Sequence, residues 1–120
     1  MERAIITISE NGTVTIPSTE IWMSEMELAE LFGVISPTLR ATIRAIYKNS
    51  GLCQTSTKRY DSVTSTSWTT FYNLEVIIAL AFHLNTREAD IIRQRVLERI
   101  YIQKGIVFSW MISLEKTTLN

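Results

Sequence analysis

Residues 28–47, LAELFGVISPTLRATIRAIY, constrain the fold more than any other stretch of the chain. Ala29 is followed four positions later by Gly33, and a second helical pattern opens at Ser36-Pro37. A small residue lets two helices cross closely, and a glycine supplies the tight bend between them. Leu28, Phe32, Val34, Leu39 and Ile43 fall where a shared core needs apolar side chains. The spacing is that of a helix-turn-helix.

The flanks support it. Ser24-Glu25-Met26-Glu27 is a capping box: the Ser24 hydroxyl can accept from the Glu27 amide, and Glu27 can reach back to the Ser24 amide. The first helix shows Leu28, Leu31 and Phe32 on one face and ends near Gly33. Ser36 is placed as the cap of the second helix, with Pro37 in the first turn, where no amide hydrogen is missed. Its buried stripe is Leu39, Ile43, Ile46 and Tyr47, and Asn49-Ser50-Gly51 ends it.

Upstream, AIITISENGTVTIP alternates apolar and polar residues around Asn11-Gly12. A two-residue turn would put Ile6 and Ile8 on the face opposite Val14 and Ile16. A three-residue loop, Glu10-Asn11-Gly12, pairs Ile8 with Val14 and Ile6 with Ile16, so all four share one face. Register follows the buried face, so the three-residue loop is expected, with Gly12 left-handed.

Residues 53–72 are rich in Thr and Ser with interleaved aromatics and lack helical periodicity. They read as a β-hairpin with its tip around residues 59–65, and Cys53 as a small strand residue. Asn73 caps LEVIIALAFHL. Asn85 with Glu88 is read as opening a last helix to about Lys104, its stripe Ala89, Ile92, Val96 and Ile100, widened by Leu97, and its outer face Arg87, Arg93, Arg95 and Arg99. Gly105 is the expected stop.

The fold class is therefore α+β: a winged helix-turn-helix with an N-terminal β-hairpin, a β-hairpin wing and two C-terminal helices. A chain of 120 residues suits one such domain, over residues 1–105, with 106–120 as a hydrophobic C-terminal tail and a candidate for oligomerisation. With 46% hydrophobic and 20% charged residues, the composition is globular. Val76 to Phe82, the longest apolar run, is too short to span a bilayer. Met1-Glu2-Arg3 followed by a β pattern does not resemble a signal peptide, and the single Cys53 cannot form an internal disulfide. The expected compartment is the cytoplasm.

Net charge is zero, but its distribution is uneven. Residues 1–30 hold six acids and one base. Residues 31–60 hold five bases, Arg40, Arg44, Lys48, Lys58 and Arg59, and no acid. A local basic segment matters more to a phosphate-binding face than the total does. The exposed early positions of the second helix are Ser36, Pro37, Thr38, Arg40, Ala41 and Arg44. Arg40 or Arg44 could be bidentate to guanine, and Thr38 could reach a base edge or a phosphate. Lys48 would reach the DNA backbone. Lys58 and Arg59, beside the expected wing tip, could neutralise phosphates. The same cations also read as a solvated stripe at a spacing of four.

Catalytic signals are lacking: there is no GxSxG turn and no Walker-type loop, and His83 with Cys53 cannot build a multi-ligand zinc site. No enzyme, cofactor, metal or small-molecule ligand is expected. Leu74–Leu84 is apolar nearly all round, which points to a homodimer or a further domain, or to a central helix wrapped by the rest of the chain. The leading expectation is a DNA-binding domain for double-stranded DNA. The rival is a protein-interaction or oligomerisation module on the same fold.

WMSEMELAELFGV and FYNLEVIIALAFHLNTREADIIRQRVLERIYIQKG together resemble the RhuM family of virulence-associated proteins. The shared positions are Trp22, Ala29, Leu31, Phe32 and Gly33, then Tyr72, Asn73, Leu74, Ile77 and Ile78, then Lys104 and Gly105, over roughly residues 5–105. The resemblance implies a bacterial accessory or mobile-element protein with an N-terminal DNA-binding region, which suits a transcriptional regulator or mobile-element accessory role for the domain read above. Family members have Arg, Gln or Asn opening the second helix, where this chain has Ser36-Pro37-Thr38. They are also longer, so this chain is either a stand-alone domain or a fragment.

Overall fold

A computed structural model describes residues 3–64 and 66–100. Among the described residues the fold is α+β, with two small antiparallel sheets and five helices. The chain begins with a hairpin of β1 (Thr7–Ile8) and β2 (Val14–Thr15). Its register pairs Ile8 with Val14, the pairing that puts the apolar residues on one face. The Gly12 amide donates to the Ser9 carbonyl at 2.9 Å, and Gly12 takes φ 84°, the left-handed position of the three-residue loop. Ile6 and Val14 are buried, and Ile8 and Ile16 pack against the same core.

β3 (Trp22–Ser24) leads directly into α1 (Glu25–Phe32). Both capping-box bonds are formed: Glu27 N donates to Ser24 Oγ at 3.3 Å, and Ser24 N donates to Glu27 Oε1 at 2.9 Å. Gly33, with φ 66° and ψ 37°, stops the helix. The Val34 amide reaches back to Ala29 O at 3.0 Å and the Gly33 amide to Glu30 O at 3.3 Å, the paired bonds of a Schellman ending. That bend returns the chain as α2 (Ser36–Asn49) across buried Ala29.

The cap of α2 differs from expectation. Ile35 holds that position: its carbonyl accepts the first helical bond, from Leu39 N at 3.1 Å, and Ser36 is already helical. Pro37 in the first turn removes one amide that would need a cap, so the helix starts without a side-chain oxygen. Leu39, Ile43 and Ile46 are buried and Tyr47 is half-buried, as the stripe requires.

Residues 53–72 are not all strand. A four-residue helix, α3 (Gln54–Thr57), precedes the hairpin, too short to show a period. Thr57 Oγ1 donates to Cys53 O at 2.6 Å, so the hydroxyl-rich sequence closes this turn with its own side chains. Cys53 is the exposed cap of α3 and not a strand residue. β4 (Lys58–Thr64) and β5 (Ser67–Asn73) then pair from Lys58–Tyr72 outward to Thr64–Ser67. The tip lies between Thr64 and Ser67, farther out than expected, because Val63 and Thr64 favour strand and no Gly, Pro or Asn interrupts them earlier. β5 is the centre of a three-stranded sheet, ordered β3-β5-β4.

Asn73 caps α4 (Leu74–His83), accepting from Val76 N at 3.4 Å. Residues 87–100 form α5. Its cap is Thr86 rather than Asn85: Thr86 Oγ1 accepts from Ala89 N at 3.1 Å. Ala89 and Ile92 are buried and Val96 is half-buried, but Leu97 and Ile100 are exposed. Arg93 leaves the expected outer face and donates to Ala81 O at 2.7 Å and Leu84 O at 2.8 Å, satisfying carbonyls at the end of α4.

One core joins these elements. Met23, Leu28 and Phe32 meet Leu39, Ile43 and Ile46 of α2, with Val76, Ile77 and Leu80 of α4 behind them. α4 is thus covered within the chain along most of its surface, while Phe82 stays 49% exposed. No described helix is long and apolar enough to cross a membrane. The expected stop at Gly105 and the tail at 106–120 lie outside the described residues.

Candidate nucleic-acid interface

Arg40, Arg44 and Lys48 recur every fourth residue, so α2 presents them along one side. Lys58 opens β4, and its register partner is Tyr72 of the central strand. These cations border one cleft of about 370 Å³, with Tyr47, Gln54 and Tyr72 among its other walls. The cleft exists because β3-β5-β4 packs the Met23 and Tyr72 face against the helices while α3 carries the chain from the end of α2 to the root of the hairpin.

The walls are fixed by their own bonds. Tyr47 Oη lies 2.9 Å from Thr57 Oγ1. Because Thr57 gives its own hydrogen to Cys53 O, Tyr47 is the donor. Burial pushes the Tyr47 and Tyr72 phenols up, so both remain neutral donors near neutral pH. Lys58 Nζ stands 5.4 Å from the Tyr47 ring centroid, within cation–π range.

The cations are not equivalent. Arg40 is engaged by Glu25 at the start of α1: Nη2 donates to Oε1 at 2.8 Å, and Nε lies 3.2 Å from each carboxylate oxygen. The hydrogen bond to Glu25 holds the guanidinium still more firmly protonated. Its fork is thus used inside the α1–α2 pair. Arg44, Lys48 and Lys58 make no ion pair among the described residues.

Thr38, Ala41 and Arg44 are exposed on α2, and Ser36 is half-buried at its start. The outward surface between them is short and apolar, from Pro37 and Ala41. Arg59 is separated from this group. Neighbouring residues of a strand point to opposite faces, so Arg59 turns away from the Lys58 side, and its guanidinium lies 5.5 Å from the Trp22 ring centroid. Lys58 and Arg59 stand at the root of the hairpin, not beside its tip, because the strand runs out to Thr64. On this second face Arg3 lies 4.8 Å from the Phe71 ring centroid and pairs with Glu27 at 2.6 Å.

Tyr47, Tyr72 and Gln54 are walls of the cleft that no sequence pattern marks as such. The hairpin aromatics are a further feature. Tyr60 and Trp68 stack with centroids 5.5 Å apart and planes at 25°. Aromatics alternating with Ser and Thr on both sides of a hairpin tip were the available signal. Among the described residues no group of three or more His, Cys, Asp or Glu side chains could hold a metal ion.

No family model, curated protein or solved structure matches the chain.

Proposed function

We propose that this chain is a DNA-binding domain of the winged helix-turn-helix kind, with α1 and α2 as the helix pair and β4–β5 as the wing. The observation that carries this reading is the convergence of Arg44, Lys48 and Lys58 on one open cleft without an acidic partner among the described residues. Cations so placed gain by exchanging condensed counterions for phosphates. α2 enters the major groove by its first turns, bringing Thr38, Ala41 and Arg44 to base edges, while Lys48 and Lys58 hold the backbone. With Arg40 committed to Glu25, Arg44 is the principal guanine reader. A role as a transcriptional regulator or mobile-element accessory protein agrees with the RhuM resemblance. A homodimer would present two such faces to paired half-sites, and exposed Phe82, Leu97 and Ile100 are apolar residues open to that contact.

A second reading, a docking module for another protein, is favoured by Met26 and Ile35, exposed at 78% and 69% on the α1–α2 pair. An amide-resolved NMR titration with a short mixed-sequence duplex at low salt separates the two. DNA binding moves the Thr38, Arg44, Lys48 and Lys58 signals together. Unmoved signals along α2 and at the root of the hairpin would overturn the DNA reading.

A further inference from the structure

Beyond Lys58 the hairpin carries a second feature on the same face. Lys58, Tyr60 and Ser62 alternate onto one side of β4. Their register partners Tyr72, Thr70 and Trp68 lie on that side of β5. Tyr60 and Trp68 are diagonal neighbours across the two strands, and their rings stack one step outward from the Lys58–Tyr72 pair that borders the cleft. Tyr60 is 67% and Trp68 56% exposed, so the stack lies outside the core and keeps much of its surface open.

The surroundings say what suits it. Ser62 and Thr70 share its face, and Val63, exposed at the register shift between Ser62 and Thr64, is the one aliphatic side chain of the two strands. Two rings set among hydroxyls are too narrow for a protein interface, which needs a broad apolar centre. They suit a planar partner that stacks. Asp61, the acid of this hairpin, belongs to the opposite strand face, so the stack adjoins Lys58 at the edge of the cleft without an intervening carboxylate on its own face. A planar group joined to a polyanion is an unpaired base on a nucleic-acid strand, and stacking reaches it only where the base has left its duplex.

We infer that the Tyr60–Trp68 stack is a platform for unpaired bases, so that the domain binds DNA carrying a single-stranded segment beside a duplex more tightly than fully paired DNA. The inference rests on the cleft binding DNA phosphates, as proposed above. Phosphates lie along Lys48 and Lys58 while Arg44 faces the base edges, and the strand leaving the duplex passes over the two rings.

Fluorescence anisotropy with two labelled probes tests this, one a blunt duplex and the other the same duplex with a single-stranded arm, both at low salt. The full chain is expected to bind the armed probe about ten- to a hundredfold tighter. Tyr60→Ala with Trp68→Ala removes that preference but keeps blunt-duplex binding, and Trp68→Phe restores most of it. Far-UV circular dichroism checks that the variants stay folded. Equal affinity for the two probes, or a preference unchanged in the double alanine variant, overturns the platform and leaves the cleft reading intact. Failure to bind either probe overturns both.

Discussion

Arg40 grips Glu25 side-on, with Nη2 at 2.8 Å and Nε at 3.2 Å from the carboxylate, and so ties the second helix to the first turn of the first. The pair is half exposed, so its worth lies less in stability than in what it withholds from a ligand. Arg40→Ala is expected to weaken duplex binding less than Arg44→Ala. Glu25→Gln releases the guanidinium and removes the acid that neutralises it, strengthening binding by roughly two- to tenfold at low salt. Anisotropy titrations of the three variants give the ranking.

Glu27 makes the fold sensitive to acid. Burial pushes its carboxyl up, but the bond to Arg3 and those to Ser24 outweigh that and hold it below the ordinary 4.5. A depressed native pKa means that the unfolded chain binds more protons in that window, so the stabilisation is present above 4.5 and fades as pH falls through the lower native value. Glu27→Gln is expected to be less stable than the parent by about 1 kcal/mol near pH 7, with the gap closing in acid as pH falls from 4.5 through the lowered native value. Urea unfolding near neutral pH and in acid measures it.

Arg93 replaces a terminal cap on α4. Its Nη1 bonds to Ala81 O and Leu84 O would be lost in Arg93→Ala, leaving part-buried carbonyls without that donor. The expected cost is about 1–3 kcal/mol, seen as a fall of several degrees in Tm, whereas Arg95→Ala, at an exposed pair with Glu98, should stay within about 0.5 kcal/mol.

Cys53 should react unusually fast for an exposed thiol near neutral pH. Its bond to the Thr55 hydroxyl, and then those from Ser56, bring the thiol down to about 7. The rate of carbamidomethylation should reach half its maximum near that pH, and Thr55→Val should move the midpoint toward the ordinary 9.0. A midpoint unchanged in Thr55→Val would contradict the assignment.

Features closed within a few residues were legible in the sequence. The Ile8–Val14 register followed from face matching, the Ser24–Glu27 box from spacing, and the bend at Gly33 from its neighbours. Choices between adjacent caps were not: Ile35 holds the place expected of Ser36, and Thr86 that of Asn85, because one residue of helix phase decides which residue stands at the boundary. Tertiary partnerships were also hidden. Nothing local assigns Arg40 to Glu25, fifteen residues away, or Arg93 to the end of α4. Placing the hairpin tip too early misjudged Lys58 and Arg59 together, since their faces and their distance from the tip both depend on register. The basic stretch 31–60 was visible, but only the packing of α3 and β5 against α2 separates the cleft cations from Arg59.

The most direct measurement is the salt dependence of duplex binding by the full chain and by Arg44→Ala with Lys48→Ala. Two phosphate-holding cations, Lys48 and Lys58, imply a log–log slope near −2 for the parent, falling to about −1 in the double variant, while the loss of Arg44 lowers affinity further. Binding that ignores salt, or the same slope in both proteins, would contradict a DNA-binding cleft built from Arg44, Lys48 and Lys58.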